Sequence, residues 1–241
     1  MTAPSLLSVI IPVYNEAATL RSTVDRVLAS QLPLPFEVIL VDDGSVDGSA
    51  ATVADLAASG DIRLTHHRSN AGKGAALRTG IEAARGDVLT VLDADLELDP
   101  ADFVQMLDPI LRGDATVVYG VREFAAHTAF SFWYVLGNKM VNLWASLLFD
   151  AWLADVYTCF KMATTETWRA LDLRSTGFEV EAEITAKLLR SGHVIYEVPV
   201  SYRARSREAG KKMHWVDGPR AMYALLRFRL ALASPRSRPR E

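Results

Sequence analysis

Acids alternate along Asp93-Ala94-Asp95-Leu96-Glu97, directly behind the apolar run Val88 to Leu92. In extended backbone leaving a strand, residues i, i+2 and i+4 share one side, so these carboxylates are expected to converge at the edge where α/β sheets hold ligands. Like charges that close repel unless a cation sits between them. Hard oxygens with room for water suit Mg²⁺ or Mn²⁺, and such an ion favours a diphosphate ligand. Asp93, Asp95 and Glu97 are therefore the candidate metal ligands, with a solvated acidic loop as the alternative. A second acidic pair, Asp42-Asp43, precedes Gly44-Ser45, where the glycine permits a tight turn close to a ligand.

The elements that must position these acids follow from hydrophobic pattern. Ser8 to Pro12 and Phe36 to Val41 are β-branched or apolar runs without alternation, expected as strands buried on both faces. Between them Leu20, Val24, Val27 and Leu28 recur at helical spacing up to the breakers Pro33 and Pro35. Asp47 or Ser49 is expected to cap a helix through Leu56, and Ile62 to Thr65 reads as a third strand. Asn70-Ala71-Gly72-Lys73-Gly74 then opens a helix ending near Gly86. Gly72-Lys73-Gly74 is neither a dinucleotide fingerprint, which belongs on the first strand–helix turn, nor a P-loop, since no Ser or Thr follows Lys73. Strand and helix alternate up to Asp93, which predicts a largely parallel sheet with helices on both faces.

Half of the 241 residues are hydrophobic, enough for a substantial core. The net charge of -3 supplies no general pull toward nucleic acid, and none is expected as a partner. A single cysteine, Cys159, excludes an internal disulfide and fits a reducing compartment. Met1 to Leu7 carries no basic and apolar leader pattern, so a cytoplasmic location is expected.

Ile11-Pro12-Val13-Tyr14-Asn15-Glu16, Val41-Asp42-Asp43-Gly44-Ser45, Asn70-Ala71-Gly72-Lys73-Gly74 and Asp93-Ala94-Asp95, in this order, resemble a family-2 glycosyltransferase of the GT-A fold. The resemblance implies a Rossmann-like, mixed but mostly parallel sheet flanked by helices. It implies that Pro12, Tyr14, Glu16, Val41 and Asp43 hold the nucleoside of a nucleotide-sugar, with Asp43 on the base or ribose. Lys73, Asp93 and Ala94 would meet the nucleotide, and Asp95 and Glu97 the metal on its diphosphate.

The second half resembles the polyprenyl-phosphate branch of that family, which includes dolichyl-phosphate mannose and glucose synthases. Gly120-Val121-Arg122 matches a Gly-x-Arg that there contributes a phosphate-binding cation, and Asp155-Val156-Tyr157-Thr158-Cys159-Phe160-Lys161 matches a further segment of the branch. By that resemblance Asp155 orients a sugar hydroxyl or meets the acceptor. Ser201 to Lys212 is a basic loop ending in Gly210-Lys211-Lys212. The Gln-x-x-Arg-Trp motif of processive polymer synthases is absent. Cys159, where the mannose synthases often carry Gly, and the longer basic loop move the chain toward relatives using UDP-sugars such as UDP-glucose or UDP-N-acetylhexosamines, with GDP-mannose second.

A hydroxyl acceptor must lose a proton and needs a carboxylate base, whereas a lipid phosphate is already anionic and needs cations to bring it beside the donor. Arg122, Arg205, Lys211 and Lys212 are the candidates for that work, with Asp95 holding the metal and Asp155 at the acceptor. The expected reaction is an inverting, metal-dependent transfer of one sugar to a polyprenyl phosphate. Two alternatives remain: transfer to a sugar hydroxyl, with Asp155 or Glu181 as base, and a nucleotide-sugar-binding module without turnover that serves a membrane-protein partner.

Phe130 to Leu153 is rich in Trp and aliphatics but broken by Asn138, Lys139, Asn142 and Asp150, short of the about 20 uninterrupted apolar residues of a spanning helix. It reads either as an interfacial amphipathic element, with Trp133, Tyr134 and Trp144 at a membrane surface, or as a core-packing helix pair. Between Val216 and Leu232, Tyr223, Leu226 and Leu230 mix with Arg220, Arg227 and Arg229 ahead of a Pro/Arg/Ser tail. This suits anionic lipid or packing on the sheet. The expected organisation is a catalytic domain over 1–214 and a C-terminal helix with basic tail over 215–241, peripheral on the inner face of a membrane.

Overall fold

The computed structural model describes residues 4–122, 132–203 and 217–231. Strands β1 (Leu7–Val13), β2 (Phe36–Asp42), β3 (Arg63–His66), β4 (Val88–Val91), β5 (Val117–Arg122), β6 (Lys161–Thr164) and β7 (Tyr196–Val200) form one seven-stranded sheet in the order β3-β2-β1-β4-β6-β5-β7. β1 pairs in parallel with β2 and β4, β2 with β3, and β5 with β7; β6 runs antiparallel between β4 and β5. The C-terminal ends of the parallel strands therefore share one edge with the first residue of β6, Lys161. Along the chain the strands step from β1 out to β3 and then return to the other side of β1 at β4. That reversal puts a crevice beyond β1 and β4, where α/β sheets bind ligands.

Both faces of the sheet are covered, as unalternated apolar strands require. In β1, Val9, Ile11 and Val13 pack with Leu20 and Val24 of α1 (Leu20–Leu28) and with Phe103 and Met106 of α4 (Phe103–Leu111). Ile10 faces the other way, onto Leu77 of α3 (Lys73–Ala83) and Ile184 of α7 (Val180–Arg190). Each of these fully buried aliphatics contributes about 1.5–3 kcal/mol. Short helices α2 (Ala54–Ser59) and α6 (Thr165–Ala170) complete the flanks. Neither Asp47 nor Ser49 caps a helix as expected: a 3₁₀ turn, Ser49–Val53, opens behind Gly48 in the left-handed region, with Asp47 accepting the Ser49 N–H at 2.9 Å, before α2 begins.

A third apolar cluster joins α5 (Phe132–Phe149), α7 and α8 (Asp217–Leu230) through Val141, Ala145, Ala182, Ala186, Ala221, Ala224 and Leu225. Small residues let the helices approach closely, and Trp144 Nε1 donates to the Met222 carbonyl at 3.1 Å. One side of α5 is thus core-packing. Its other side leaves Leu136, Met140, Leu143 and Leu147 exposed. No helix among the described residues is long and apolar enough to cross a membrane.

Candidate functional site

The crevice is built from loops that follow the parallel strands, and hydrogen bonds tie them to one another. After β1, Asn15 takes a left-handed φ of 51° and its side-chain oxygen accepts the Val46 N–H at 2.9 Å. The Asn15 and Glu16 N–H groups donate to Ser45 and Ser49 at 3.0 and 2.8 Å. The β1 and β2 loops therefore form one wall, on which Tyr14 is exposed. Pro12, within β1, pairs with Val41 in β2. The Val41 side chain is fully buried in the core facing α3, so the nucleoside contact expected of it is open only to its backbone.

Asp43 is also turned inward, at 2% exposure. Its carboxylate accepts the Ala71 and Gly72 N–H groups at 3.0 and 2.7 Å and meets His67 Nδ1 at 2.7 Å. Here it shapes the turn that opens α3 rather than presenting itself to a base or ribose. The glycines of that turn answer to a second neighbour. Gly72 has φ +93°, a Cβ on it would lie 2.3 Å from the Thr176 carbonyl oxygen, and one on Gly74 would lie 2.1 Å from that of Ser175. The Gly74 N–H donates to the Thr176 carbonyl at 2.7 Å. Gly72-Lys73-Gly74 is therefore glycine-rich because backbone packs on it.

Extended backbone does not continue past β4. Residues 93–97 form a turn, with Leu96 at φ +62° and the Glu97 N–H donated to Asp95 Oδ1 at 3.0 Å. The three acids consequently reach different partners. Asp93 pairs with Lys73 Nζ at 2.8 Å, Asp95 closes its own turn, and Glu97 accepts the Tyr202 hydroxyl at 3.0 Å. Among the described residues no group of three or more His, Cys, Asp or Glu is placed to hold a metal ion. The expected three-carboxylate site is corrected accordingly. Magnesium-type ions do not need one, since they bind through one or two carboxylates plus substrate phosphates. Ala94 is 2% exposed and packs in the core with Leu92, which fixes the turn between its flanking acids.

Behind Asp93 lies a buried chain of charges. Lys73 Nζ also meets Glu181 at 3.0 Å, and Glu181 in turn pairs with Lys161, itself 1% exposed. Burial alone would push the Lys73 ammonium pKa down, but Asp93 and then Glu181 outweigh it and hold it well above the usual lysine range. Burial, and next Asp93, push the nearby Cys159 thiol well up, so it stays protonated.

Arg122 and Asp155 come together as a bidentate pair, with Nε to Oδ2 at 2.6 Å and Nη2 to Oδ1 at 2.8 Å. The guanidinium lies over the Tyr202 ring, 5.1 Å from its centroid. Asp155 is 1% exposed with both oxygens engaged, which removes it as an orienter of a sugar hydroxyl or as a base. Glu181, 3% exposed between two ammonium groups, is equally out of reach of a hydroxyl. Arg205, Lys211 and Lys212 lie outside the described residues, as do the side chains of Trp133 and Tyr134. Sequence gave no role to His67, Lys161 or Tyr202. A lysine between Phe160 and Met162, inside an apolar stretch, was the available signal that a buried acid must face it.

The family model described as Glycosyl transferase family 2 matches residues 8–164. An undecaprenyl-phosphate 4-deoxy-4-formamido-L-arabinose transferase of Aeromonas hydrophila is 42% identical over 112 residues, 45% of this chain and 34% of that protein. Glycosyltransferase AglD of Haloferax volcanii is 30% identical over 83% of this chain and 33% of its own length. A dodecaprenyl-phosphate galacturonate synthase of Rhizobium johnstonii is 32% identical over 48% of this chain and 36% of that protein. The chain thus spans about a third of the length of these relatives. Glucosyl-3-phosphoglycerate synthase of Mycobacterium tuberculosis, solved with Mn²⁺, UDP and glucosyl-3-phosphoglycerate, superposes with a TM-score of 0.72 at 20% identity, covering 96% of this chain and 82% of that one. The mannosyl-3-phosphoglycerate synthase of Rubrobacter xylanophilus gives 0.71 at 22% identity, over 96% and 78%.

Proposed function

Because the chain belongs to glycosyl transferase family 2 and has its GT-A architecture, we propose that it moves one sugar from a nucleotide-sugar to a polyprenyl phosphate. The observation that carries this is the Asp93–Lys73 pair at the strand-order reversal between β1 and β4, a cation and an acid facing the crevice where a diphosphate is to be held. The nucleoside lies against the Tyr14 to Glu16 wall and the diphosphate beside Lys73. Asp93 and Asp95 would be the carboxylates to hold Mg²⁺ or Mn²⁺, which would supply positive charge to the leaving diphosphate. A UDP-sugar is the donor we favour.

The acceptor follows from what the site lacks. Neither named base, Asp155 or Glu181, is presented to a hydroxyl, while a phosphate monoester needs none at neutral pH. The undecaprenyl- and dodecaprenyl-phosphate enzymes among the relatives use that lipid class. Phosphate oxygen attacks the anomeric carbon from the face opposite the leaving nucleoside diphosphate, with inversion, and Arg205, Lys211 and Lys212 supply the cations, while Arg122, expected among them, is buried and committed to Asp155. Residues 1–214 carry the chemistry, and 215–241 with the exposed side of α5 rest on the inner face of a membrane.

Radiolabelled UDP-glucose, UDP-N-acetylhexosamines and GDP-mannose, each mixed with decaprenyl phosphate, Mn²⁺ or Mg²⁺ and the protein, test the proposal. Label is expected in a lipid cleaved by mild acid, abolished by a chelator. Label that appears only on a sugar hydroxyl, or transfer that survives the chelator, would refute it.

A further inference from the structure

We infer that Glu181 is a positioning residue for the donor: it anchors Lys73 so that the ammonium stays at the diphosphate when Asp93 is engaged elsewhere. This rests on the crevice being a nucleotide-sugar site.

The geometry runs through three elements. Lys73 opens α3, Lys161 opens β6 and Glu181 sits in the first turn of α7. An ammonium has three N–H donors. Those of Lys161 go to the Val156 carbonyl at 3.1 Å, the Thr158 carbonyl and Glu181 Oε2, which fills it. Lys161 is thereby immobile and holds one oxygen of Glu181. The other oxygen is left to Lys73 at 3.0 Å. Lys73 meets Asp93 on its opposite side, at 2.8 and 2.9 Å to the two oxygens.

The two acids differ in access. The Asp93 side chain is 30% exposed and that of Glu181 is 4% exposed. A ligand or metal entering the crevice reaches Asp93 and competes with Lys73 for it, but it does not reach Glu181. Lysine has a flexible four-carbon stem and no rigid fork, so a lysine held by Asp93 alone would be released as that acid turned to another partner. With Glu181 fixed behind it, the N–H groups given up by Asp93 stay aimed at the crevice for a diphosphate oxygen. A charge census agrees: Lys73 and Lys161 balance Asp93 and Glu181, and a metal drawn to Asp93 leaves Lys73 with its buried counter-ion.

Affinity for nucleoside diphosphate and for nucleoside, measured by calorimetry with Mn²⁺, separates positioning from structural support. The full chain, Glu181→Gln, Lys73→Met and the double variant are titrated with UDP and GDP, then with uridine and guanosine. Glu181→Gln is expected to weaken the bound diphosphate about tenfold, roughly one factor of ten for 1.4 kcal/mol, and to leave the nucleoside within about twofold. In the Lys73→Met background it should add almost nothing, because both act through one ammonium. Equal losses for nucleoside and diphosphate, additive losses, or no loss would overturn the assignment. Should Glu181→Gln show no cooperative melt, Lys161→Met with Glu181→Gln, which removes one charge of each sign, takes its place under the same expectation. A wild-type chain that binds neither diphosphate refutes the donor reading and takes this inference with it.

Discussion

The charged residues of this chain divide by burial, and burial decides what each pair is worth. Arg21 bridges Asp25 and Asp55 on the surface, with side chains 43%, 52% and 62% exposed, where water and salt screen the pair and it contributes little. Arg122 and Asp155 are 7% and 1% exposed, so the same chemistry has different consequences. Removing the acid strands a guanidinium in the interior. Asp155→Ala is therefore expected to cost about 3–5 kcal/mol in urea unfolding at pH 7, while Arg122→Met with Asp155→Leu, which removes both charges, should cost markedly less. A single variant within about 1 kcal/mol of wild type, or a double variant no better than the single, would contradict that account. The residue types at the crevice were legible, since Asp93, Asp95, Lys73 and Arg122 were singled out from spacing and resemblance. Their partners were not: Glu181, Tyr202 and Asp155 are distant in sequence from the groups they hold, and local periodicity carries no record of such pairings.

Among elements, α7 does most to relate the two halves of the chain. Glu181 faces Lys73 and Lys161, and two residues on, around the helix, Glu183 accepts the N–H groups of Arg174 and Ser175 at 2.9 and 2.7 Å and pairs with Lys187 at 2.6 Å. That pins the segment carrying Ser175 and Thr176, on which Gly72 and Gly74 pack. Burial pushes the Glu183 pKa up, but the bonds from Lys187 and Ser175 outweigh it and hold it below the usual 4.5. A depressed carboxylate stabilises the fold fully above its unfolded pKa and loses that contribution as pH falls through its folded value. Wild type should therefore lose stability faster than Glu183→Gln below about pH 4.5, with the gap between them in urea melts steady from pH 7 to about pH 5 and narrowing below that. A gap that stays constant or widens on that further acidification would exclude Glu183 as its source. Strands β1, β2 and β4 were readable to within a residue or two because they are apolar runs buried on both faces. β6 and α6 were not read at all. β6 is four residues long, begins with a buried lysine, and is a strand only because β4 and β5 flank it antiparallel. The turn at Leu96 was missed for a related reason, since the i, i+2, i+4 pattern holds only while the backbone stays extended.

At the scale of the whole molecule, the proposed polyprenyl-phosphate acceptor asks for a surface that meets lipid. Leu136, Met140, Leu143 and Leu147 fall at i, i+4, i+7 and i+11, one side of α5, and are 36%, 53%, 55% and 70% exposed. Residues 135–149 contain no acid and one cation, Lys139, while Arg220, Arg227 and Arg229 stand exposed on the neighbouring α8 with Tyr223 and Leu230. The opposite side of α5 is committed to the protein through Val141 and Ala145, so the exposed row is not needed to hold the helix in place. An apolar stripe edged by cations is the pattern of a helix lying in the headgroup region of an anionic bilayer. Fully burying a Leu or Met contributes about 1.5–3 kcal/mol, so reversing two such positions to charge should weaken membrane association by about tenfold or more. Met140→Glu with Leu147→Glu is expected to abolish most cosedimentation with phosphatidylglycerol vesicles, and high salt to weaken the wild type in part by screening the arginines. Nucleotide binding and thermal unfolding should stay near wild type, because both side chains already face outward and neither touches the crevice. Undiminished sedimentation of the variant would show that the lipid surface lies elsewhere on the chain, and equal loss of nucleotide affinity would show that this face serves the fold instead.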